Sequence, residues 1–428
     1  MLKVGLVSLG CAKNLVDSEN ILGLLKHDGY TITSSIKDSD IIIVNTCGFI
    51  DSSKKESIET IFEMLSYNKK VVVTGCLVQR YEDELRKEIP EVTFIPIHDY
   101  DKFNELFKRV DKDLKNNGGL DDHYRIISTG NYSAYLKIGE GCDNCCSYCA
   151  IPLIRGHFVS RPFNDIIEEA NSLADSGIKE VIVLEQDTTK YGIDLKEKVN
   201  IVDLLNGLLK IEKMDYIRLL YLYPDEISDE LIDLIAKEKK LTPYFDIPIQ
   251  HSETSILKAM NRRGDKEFLR QLFNKIKSKV PNAILRTTVM VGFPGETEED
   301  VDNLIKFMEE IEFDHLGAFT YSREEGTKSF EFKNQINEKT KKKRLERVMQ
   351  AQQKISYKRN KQHIGEIMEG LVVGKEKGQY LLRSYWNAPD DVDGKIYFSS
   401  NKDLKEGEKV KVKIDSAFVY DLQGELVE

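Results

Sequence analysis

The sequence lacks several features that would place it in a specialised class of protein. It has no apolar run approaching the roughly 20 residues that cross a bilayer, which excludes an integral membrane protein. Its first residues lack the basic region, apolar core and cleavage site of a secretory signal, so we expect a cytoplasmic protein with reduced cysteines. It also lacks an excess of positive charge, since the net charge is −10, and this argues against broad nonspecific nucleic-acid binding.

One basic stretch stands out from this acidic background. It runs from Lys339 to Arg347 and continues through Lys354, Lys358, Arg359 and Lys361. We interpret it as the solvated face of a helix, with a contact to RNA or to the ribosome as the alternative.

The first part of the chain reads as alternating strands and helices. The strand candidates are β-branched runs at residues 4–9, 41–46 and 71–74, and this alternation predicts a doubly wound parallel sheet. Cys11, Cys47 and Cys76 each follow the end of one of these strands. Because ligands bind at the carboxyl edge of an open parallel sheet, the three thiols are expected to converge there.

The rest of the 428 residues provides two further units. Six strand candidates predict an incomplete TIM-like (βα)6 barrel with its chemistry at the carboxyl ends of the strands; they are residues 134–138, 181–184, 217–222, 244–249, 284–291 and 316–321. A helix at residues 338–363 leads to four short alternating runs that predict a small antiparallel β-barrel; these are residues 368–373, 379–383, 395–398 and 410–414. We therefore divide the chain into domains at residues 1–118, 128–358 and 361–428.

The strongest local motif is the sequence GCDNCCSYCA at residues 141–150, directly after the first barrel strand. Thiolates from Cys142, Cys146 and Cys149 can hold three irons of a 4Fe–4S cluster and leave the fourth iron open. An open iron can bind S-adenosylmethionine, whose reductive cleavage gives a radical able to abstract hydrogen from an unactivated carbon. Zinc is the alternative, but its two-plus-two cysteine sites normally need a longer linker. Cys145 is then the surplus thiol.

Cys11, Cys47 and Cys76 would each be unremarkable as a buried thiol. Their shared position predicts a second cluster with an open iron, which could hold an exogenous sulfur species.

Further polar groups and a glycine turn occur at the ends of the barrel strands. Gln186 ends the second strand, Gln250 and His251 end the fourth, and the Val291-Gly292 turn ends the fifth. We predict that Gln186, Gln250, Val291 and Gly292 contact S-adenosylmethionine. His251 is either part of this site or a hydrogen-bonded structural histidine.

Over essentially its whole length the sequence resembles the radical S-adenosylmethionine methylthiotransferases, and within them the subgroup that modifies a ribosomal protein. The motifs that carry this resemblance are SLGCAKNLVDSE at residues 8–19, VNTCGFI at 44–50, QDTT at 186–189, YLYP at 221–224 and DIPIQH at 246–251. Two residues depart from the family pattern: Cys145 replaces a basic residue, and Glu185 replaces a small one.

The resemblance implies that the six cysteines hold two 4Fe–4S clusters, with no catalytic residue beyond the cluster ligands. It implies two roles for S-adenosylmethionine. One molecule donates a methyl group to sulfur on the first cluster, and a second molecule is cleaved at the other cluster to form the radical. It also implies a C-terminal TRAM barrel and, as substrate, the β-carbon of an aspartate in small-subunit ribosomal protein twelve, either free or on the ribosome. A reductase or flavodoxin-type protein would supply electrons.

Two rival functions remain open. A transfer RNA adenosine methylthiotransferase would need a basic RNA-binding module, whereas residues 366–428 contain nine Lys and Arg against thirteen Asp and Glu. Nucleic acid is therefore not the expected substrate. A non-enzymatic iron–sulfur protein bound to the ribosome would leave the spacing of Cys142, Cys146 and Cys149 unexplained.

Overall fold

A computed structural model describes residues 2–114, 116, 118–120, 124–389 and 392–427. Both outer limits of the predicted domains, residues 1 and 428, lie outside the described residues. The N-terminal part is a five-stranded parallel sheet in the order β2-β1-β3-β4-β5. Its strands are β1 (Lys3–Ser8), β2 (Thr31–Ile32), β3 (Ile41–Thr46), β4 (Lys70–Gly75) and β5 (Thr93–Ile95), and its helices are α1 (Ala12–His27), α2 (Asp51–Leu65), α3 (Cys76–Glu88) and α4 (Phe103–Phe107).

The central strand of this sheet shows why the fold forms. Every residue of β3 is buried, and its side chains alternate between two separate apolar cores. Ile41 and Ile43 belong to one core, while Ile42 and Val44 belong to the other. A strand covered by helices on both faces is expected to be mainly apolar, as the first four residues of this one are.

The central part is an incomplete barrel of six parallel strands in sequence order. The strands are β6 (Ser133–Lys137), β9 (Glu180–Leu184), β10 (Tyr216–Leu219), β11 (Tyr244–Asp246), β12 (Ile284–Val291) and β13 (His315–Thr320), with a small hairpin of β7 (Gly139–Glu140) and β8 (Val159–Ser160) at the mouth. A backbone bond of 2.8 Å from Leu222 to Asp246 and a bridge between Ile217 and Leu241 join its two halves. The predicted six-stranded barrel is thus confirmed.

Eight helices accompany this barrel in the described chain: α5 (Ile151–Arg155), α6 (Phe163–Asp175), α7 (Ile201–Leu209), α8 (Asp229–Lys237), α9 (Thr254–Ala259), α10 (Lys266–Lys279), α11 (Glu298–Ile311) and α12 (Glu338–Lys361). The last one carries the basic stretch. Our interpretation of that stretch as a solvated face is wrong at Lys341 and Arg344, which are buried. Lys341 donates to the Tyr321 carbonyl at 2.8 Å, and Arg344 donates to Glu296.

The C-terminal part is a closed five-stranded barrel in the order β14-β15-β16-β18-β17. Its strands are β14 (Ile367–Glu376), β15 (Gln379–Ser384), β16 (Ile396–Ser399), β17 (Lys409–Ala417) and β18 (Leu422–Val427). The first four match the predicted runs, whereas β18 was not predicted. Four strand pairs are antiparallel, but β16 and β18 are parallel, so the barrel is not antiparallel throughout.

A loop of the C-terminal barrel enters the amino-terminal end of the central barrel. Trp386 is fully buried there, and its carbonyl oxygen accepts a 2.8 Å bond from Nε2 of His315, the first residue of β13. Arg218 of β10 donates to the Ser384 carbonyl at 2.7 Å. Side chains of both barrels therefore form one continuous core at this end.

Replacing Trp386 with alanine is expected to destabilise the protein by about 3–5 kcal/mol, because the large ring leaves a cavity that its neighbours cannot fill. Tyr420→Ala is a matched control, since this ring is exposed and its loss should change stability by less than about 0.5 kcal/mol. Urea unfolding of both variants measures the difference. Equal midpoints for the two variants would contradict the role of Trp386 as a core residue.

Candidate active site

The first three cysteines lie together at the carboxyl edge of the N-terminal sheet. Cys11 caps the start of α1, Cys47 follows β3 directly, and Cys76 is the first residue of α3. Since β1, β3 and β4 are parallel neighbours, their ends meet at one edge. Burial raises the pKa of Cys76 to about 11, and the neighbouring Cys11 and Cys47 thiols act in the same direction. The predicted convergence is confirmed, while the role of these thiols as ligands stays a prediction.

Asn14 connects the three loops that carry these cysteines. Its side-chain amide donates to the Leu9 carbonyl at 3.0 Å and to the Thr46 carbonyl at 2.9 Å. Its side-chain oxygen accepts from the Cys76 thiol at 3.4 Å. Glycine is required beside it, because a Cβ on Gly10, whose φ is +90°, would lie 3.0 Å from Cys47 Sγ. The three thiols are therefore held by a preformed set of contacts.

The second cysteine group lies on the loop that follows β7. The Cys149 N–H donates to the Cys146 carbonyl at 3.0 Å, and Cys142 N–H donates to Gly156 at 3.1 Å. Burial raises the pKa of Cys142 to about 11 and that of Cys149 to about 12. Cys145, in contrast, is exposed and has a left-handed backbone with φ of +50°. Its different environment agrees with the prediction that it is the surplus thiol.

The cysteine side chains can be compared with the geometry of a site for one metal ion. All seven cysteines are free thiols. Across the described residues, no three Cys, His, Asp or Glu side chains are placed so that one metal ion could be held between them. A four-iron cluster separates its thiolate ligands more widely than one zinc ion does, and three cysteines on a short loop can hold three of its irons.

Arg262 is a charged neighbour of the second group that sequence analysis did not identify. It donates to Cys146 Sγ at 3.8 Å and to the Pro248 carbonyl at 2.6 Å, and it stacks over the Tyr223 ring at 4.2 Å. The Tyr223 hydroxyl in turn lies 3.7 Å from Cys146 Sγ. A buried guanidinium beside a thiolate offsets its negative charge.

Arg155 joins the two cysteine groups. It ends α5, the short helix that starts two residues after Cys149, and it donates to Cys76 Sγ at 3.7 Å. It also pairs with Asp17 at 2.6 Å and with Glu140 at 3.1 Å. Ala150 and Ile154 of the same segment pack on Cys76. The two groups therefore lie on opposite sides of one buried contact between the sheet edge and the barrel mouth.

Ion pairs hold the N-terminal sheet over that mouth. Glu324, just after β13, accepts 3.0 Å bonds from Lys54 of α2 and from Arg80 of α3. Glu19 of α1 pairs with Arg125 at 2.6 Å. All five side chains are largely buried, so these contacts are screened little by salt.

The predicted S-adenosylmethionine contacts lie at the mouth, but some of their polar groups already have partners. Gln186 donates to Glu140 at 3.2 Å, and Gln250 has a left-handed backbone with φ of +68°. The Val291 carbonyl accepts from Tyr321 at 2.8 Å, and the Gly292 N–H donates to Glu296 at 2.9 Å. Their contact with S-adenosylmethionine stays a prediction.

The glycine at 292 and the histidine at 251 have packing roles. A Cβ on Gly292 would lie 2.4 Å from a carbon of Lys341, and its φ is +77°. His251 is fully buried, accepts from the Glu253 N–H at 3.0 Å, and places Nε2 3.7 Å from Glu296. Burial lowers the pKa of His251 to about 4, so the ring is neutral. Nε2 has no hydrogen-bond partner among the described residues, so both roles proposed for His251 stay predictions.

Glu185 is buried at the end of β9. Burial raises its pKa to about 8, and one carboxylate oxygen accepts from the Asp187 N–H at 2.9 Å. Nothing in these contacts explains why a glutamate replaces a small residue here.

None of the described helices is long and apolar enough to span a membrane.

Comparison with known proteins agrees with this architecture. Residues 3–96 match the uncharacterized protein family UPF0004, residues 136–308 the radical SAM superfamily and residues 364–427 the TRAM domain. A solved structure with a similar fold is the radical S-adenosylmethionine methyltransferase TsrM from Kitasatospora setae, with a TM-score of 0.54 and 14% identity, covering 74% of this chain and 73% of that one. At this identity the likeness concerns the fold alone.

Relatives of much higher identity cover nearly the whole chain. The ribosomal protein uS12 methylthiotransferase RimO of Alkaliphilus oremlandii is 46% identical, covering 99% of both chains. The protein of the same name from Aquifex aeolicus is 47% identical, covering 99% of this chain and 97% of the other. With identity at this level from end to end, the chain belongs to the RimO family of radical S-adenosylmethionine methylthiotransferases.

Proposed function

We propose that this enzyme adds a methylthio group to the β-carbon of an aspartate in ribosomal protein uS12. The names of its full-length relatives support the substrate. The observation that carries the chemistry is the pair of cysteine triads, which lie on either side of α5 and Arg155. A single radical site would need only one of them.

We further propose that each triad holds one 4Fe–4S cluster, with Cys11, Cys47 and Cys76 on the sheet edge and Cys142, Cys146 and Cys149 on the barrel loop. When bound, the clusters supply the electron that cleaves S-adenosylmethionine and a site for the sulfur that is transferred. Gln186, Gln250, Val291 and Gly292 are the proposed contacts of S-adenosylmethionine.

The chain itself contributes charge balance and rigidity. Arg262 beside Cys146 and Arg155 beside Cys76 place one positive charge next to each triad. At Cys76, the Arg155 charge opposes the rise in pKa that burial causes. Asn144, which donates to Asp187 at 2.6 Å, fixes the barrel loop to the segment after β9. The ion pairs of Glu324 with Lys54 and Arg80 keep the N-terminal sheet in place over the barrel mouth.

We place the reaction in the cytoplasm, with electrons supplied by a reductase or flavodoxin-type protein. The substrate protein would enter from the side on which the six-stranded barrel is incomplete.

Methylthiolation of a transfer RNA adenosine is the second candidate, and one observation favours it. Lys409, Lys411 and Lys413 alternate along β17 and form an exposed lysine row on the C-terminal barrel. Lys409, however, is paired with Glu369 at 2.9 Å. The acidic residues of this barrel outnumber its basic ones, so it offers little phosphate neutralisation.

Deleting the gene distinguishes the two candidates. We expect ribosomal protein uS12 from the deletion strain to lose the mass of one methylthio group, while methylthio-adenosine in transfer RNA stays unchanged. Intact-protein mass spectrometry and nucleoside analysis measure the two. Wild-type DNA should restore the modification, and DNA encoding Cys142→Ala should not. The proposal would be overturned if transfer RNA of the deletion strain lost methylthio-adenosine while the mass of uS12 stayed the same as in the wild type.

A further inference from the structure

Lys13 is a buried cation between the two cysteine triads. It lies in the first turn of α1, two residues after Cys11, and only 7% of it is exposed. Its ammonium donates to the Glu185 carbonyl at 3.3 Å and lies 4.5 Å from the centre of the Tyr221 ring. Glu185 follows β9 and Tyr221 follows β10, so the ammonium of a residue from the N-terminal sheet reaches the barrel mouth.

The other cations at this mouth have partners for their charge. Lys137 pairs with Asp17 at 2.8 Å and with Glu140 at 3.3 Å. Arg155 pairs with the same two carboxylates. The Arg262 guanidinium donates to a carbonyl oxygen, a tyrosine hydroxyl and the Cys146 thiol.

Lys13 makes fewer direct hydrogen bonds than these cations. Within the described chain, no carboxylate oxygen lies within 4.0 Å of its Nζ. An ammonium has three N–H donors, and one of them is used, by the Glu185 carbonyl. The carboxylates of Glu140 and Glu185 attract Lys13 without contacting it. Its remaining N–H donors therefore suit a negatively charged group that arrives with the substrate and contacts the ammonium directly.

We propose that Lys13 binds the carboxylate of the aspartate to be modified and thereby selects aspartate and positions its β-carbon. This inference rests on the proposed function. The carboxylate carbon is bonded directly to the β-carbon, so an anchor on the former fixes the latter to within one bond length. The Glu185 carbonyl and the Tyr221 ring hold the ammonium in place, and cation–π contacts of this kind are stabilising when buried.

A purely structural role for Lys13, joining α1 to the barrel, makes a different prediction. A structural lysine would affect every peptide substrate equally, because it would act on the shape of the site. A carboxylate-binding lysine acts on aspartate and leaves a neutral analogue of the same size unaffected.

The test uses the reconstituted enzyme and two fluorescently labelled peptides of uS12, one with the target aspartate and one with asparagine in its place. Dissociation constants are measured for the wild type, Lys13→Met, Lys13→Arg and a control, Lys26→Met. Lys26 lies on the same helix but is exposed at its last turn, so its replacement tests the loss of a lysine charge far from the site. Iron content and melting temperature check that each variant is folded.

We expect the wild type and Lys26→Met to bind the aspartate peptide at least about tenfold more tightly than the asparagine peptide, as for a hydrogen-bonded ion pair. Lys13→Met should lose this preference through weaker binding of the aspartate peptide alone, and Lys13→Arg should retain part of it. Equal weakening for both peptides, or an unchanged preference in Lys13→Met, would overturn the inference.

Two further results keep the test decisive. If Lys13→Met does not fold, Lys13→Arg decides in its place: a smaller preference for the aspartate peptide than in the wild type supports the inference, and an unchanged preference overturns it. Failure of the proposed function appears separately, as unmodified uS12 in cells that contain the wild-type enzyme, and it would overturn both proposals.

Discussion

Replacing Cys142, Cys146 and Cys149 together by alanine is expected to remove about half of the iron and to abolish formation of 5′-deoxyadenosine from S-adenosylmethionine. The reason is that the barrel loop would lose all three ligands while the sheet edge keeps its own. Anaerobic reconstitution followed by iron analysis and chromatography of the nucleoside measures both effects. The expected loss of activity is complete, since no side chain at the mouth can replace a reductant.

Cys145→Ala is the matched control for this triple variant. It removes a thiol from the same loop, but one that is exposed and has a left-handed backbone, unlike the three proposed ligands. It should retain all the iron and most of the activity. If Cys145→Ala lost half the iron, or if the triple variant still formed 5′-deoxyadenosine, our choice of ligands would be wrong.

Replacing Cys11, Cys47 and Cys76 by alanine should separate two activities that the wild type combines. The barrel loop is unchanged in this variant, so cleavage of S-adenosylmethionine should continue, whereas methylthio transfer should stop entirely. A substrate peptide deuterated at the aspartate β-carbon tests this directly, because deuterium should appear in 5′-deoxyadenosine without any methylthiolated product. Mass spectrometry of the nucleoside and of the peptide gives both values.

Arg155 complicates this experiment, because it contacts Cys76 and lies on the helix that follows the second cysteine group. Loss of Cys76 removes one of its partners but leaves Asp17 and Glu140, so the contact between sheet and barrel should survive. The melting temperature of the triple variant is therefore an internal control. Methylthiolated peptide at wild-type yield would show that sulfur does not pass through the N-terminal sheet, and the two-cluster proposal would fail.

Much of the fold could be predicted from the sequence because many of its strands contain short runs of apolar residues. All six strands of the central barrel were identified, since buried parallel strands are mainly apolar, although Glu180 and Arg218 are buried polar exceptions. The convergence of Cys11, Cys47 and Cys76 followed from topology alone, because each comes directly after a parallel strand. In contrast, β2 and β5 contain two and three residues, which is too short for a periodic signal.

The charged environment of the site could not be predicted in the same way. Arg155, Arg262 and Lys13 are ordinary basic residues in the sequence, and helix patterning would place each of them in solvent. Their burial depends on partners more than a hundred residues away, such as Asp17 for Arg155 and Glu185 for Lys13. The glycine at 292 has a packing role that the sequence did not reveal, because a Cβ there would clash with Lys341; its contact with S-adenosylmethionine stays a prediction.

The insertion of Trp386 into the lower end of the central barrel limits how this enzyme can be re-engineered. The C-terminal barrel carries residues that complete the other barrel, including Asp393, which accepts a 2.6 Å bond from the Tyr244 hydroxyl. A chimera that exchanged residues 364–427 for those of a relative would therefore leave Arg218, Tyr244 and His315 facing a foreign loop. When a new recognition module is grafted onto this scaffold, residues 384–388 and 393 of this protein must be retained and not replaced by those of the donor.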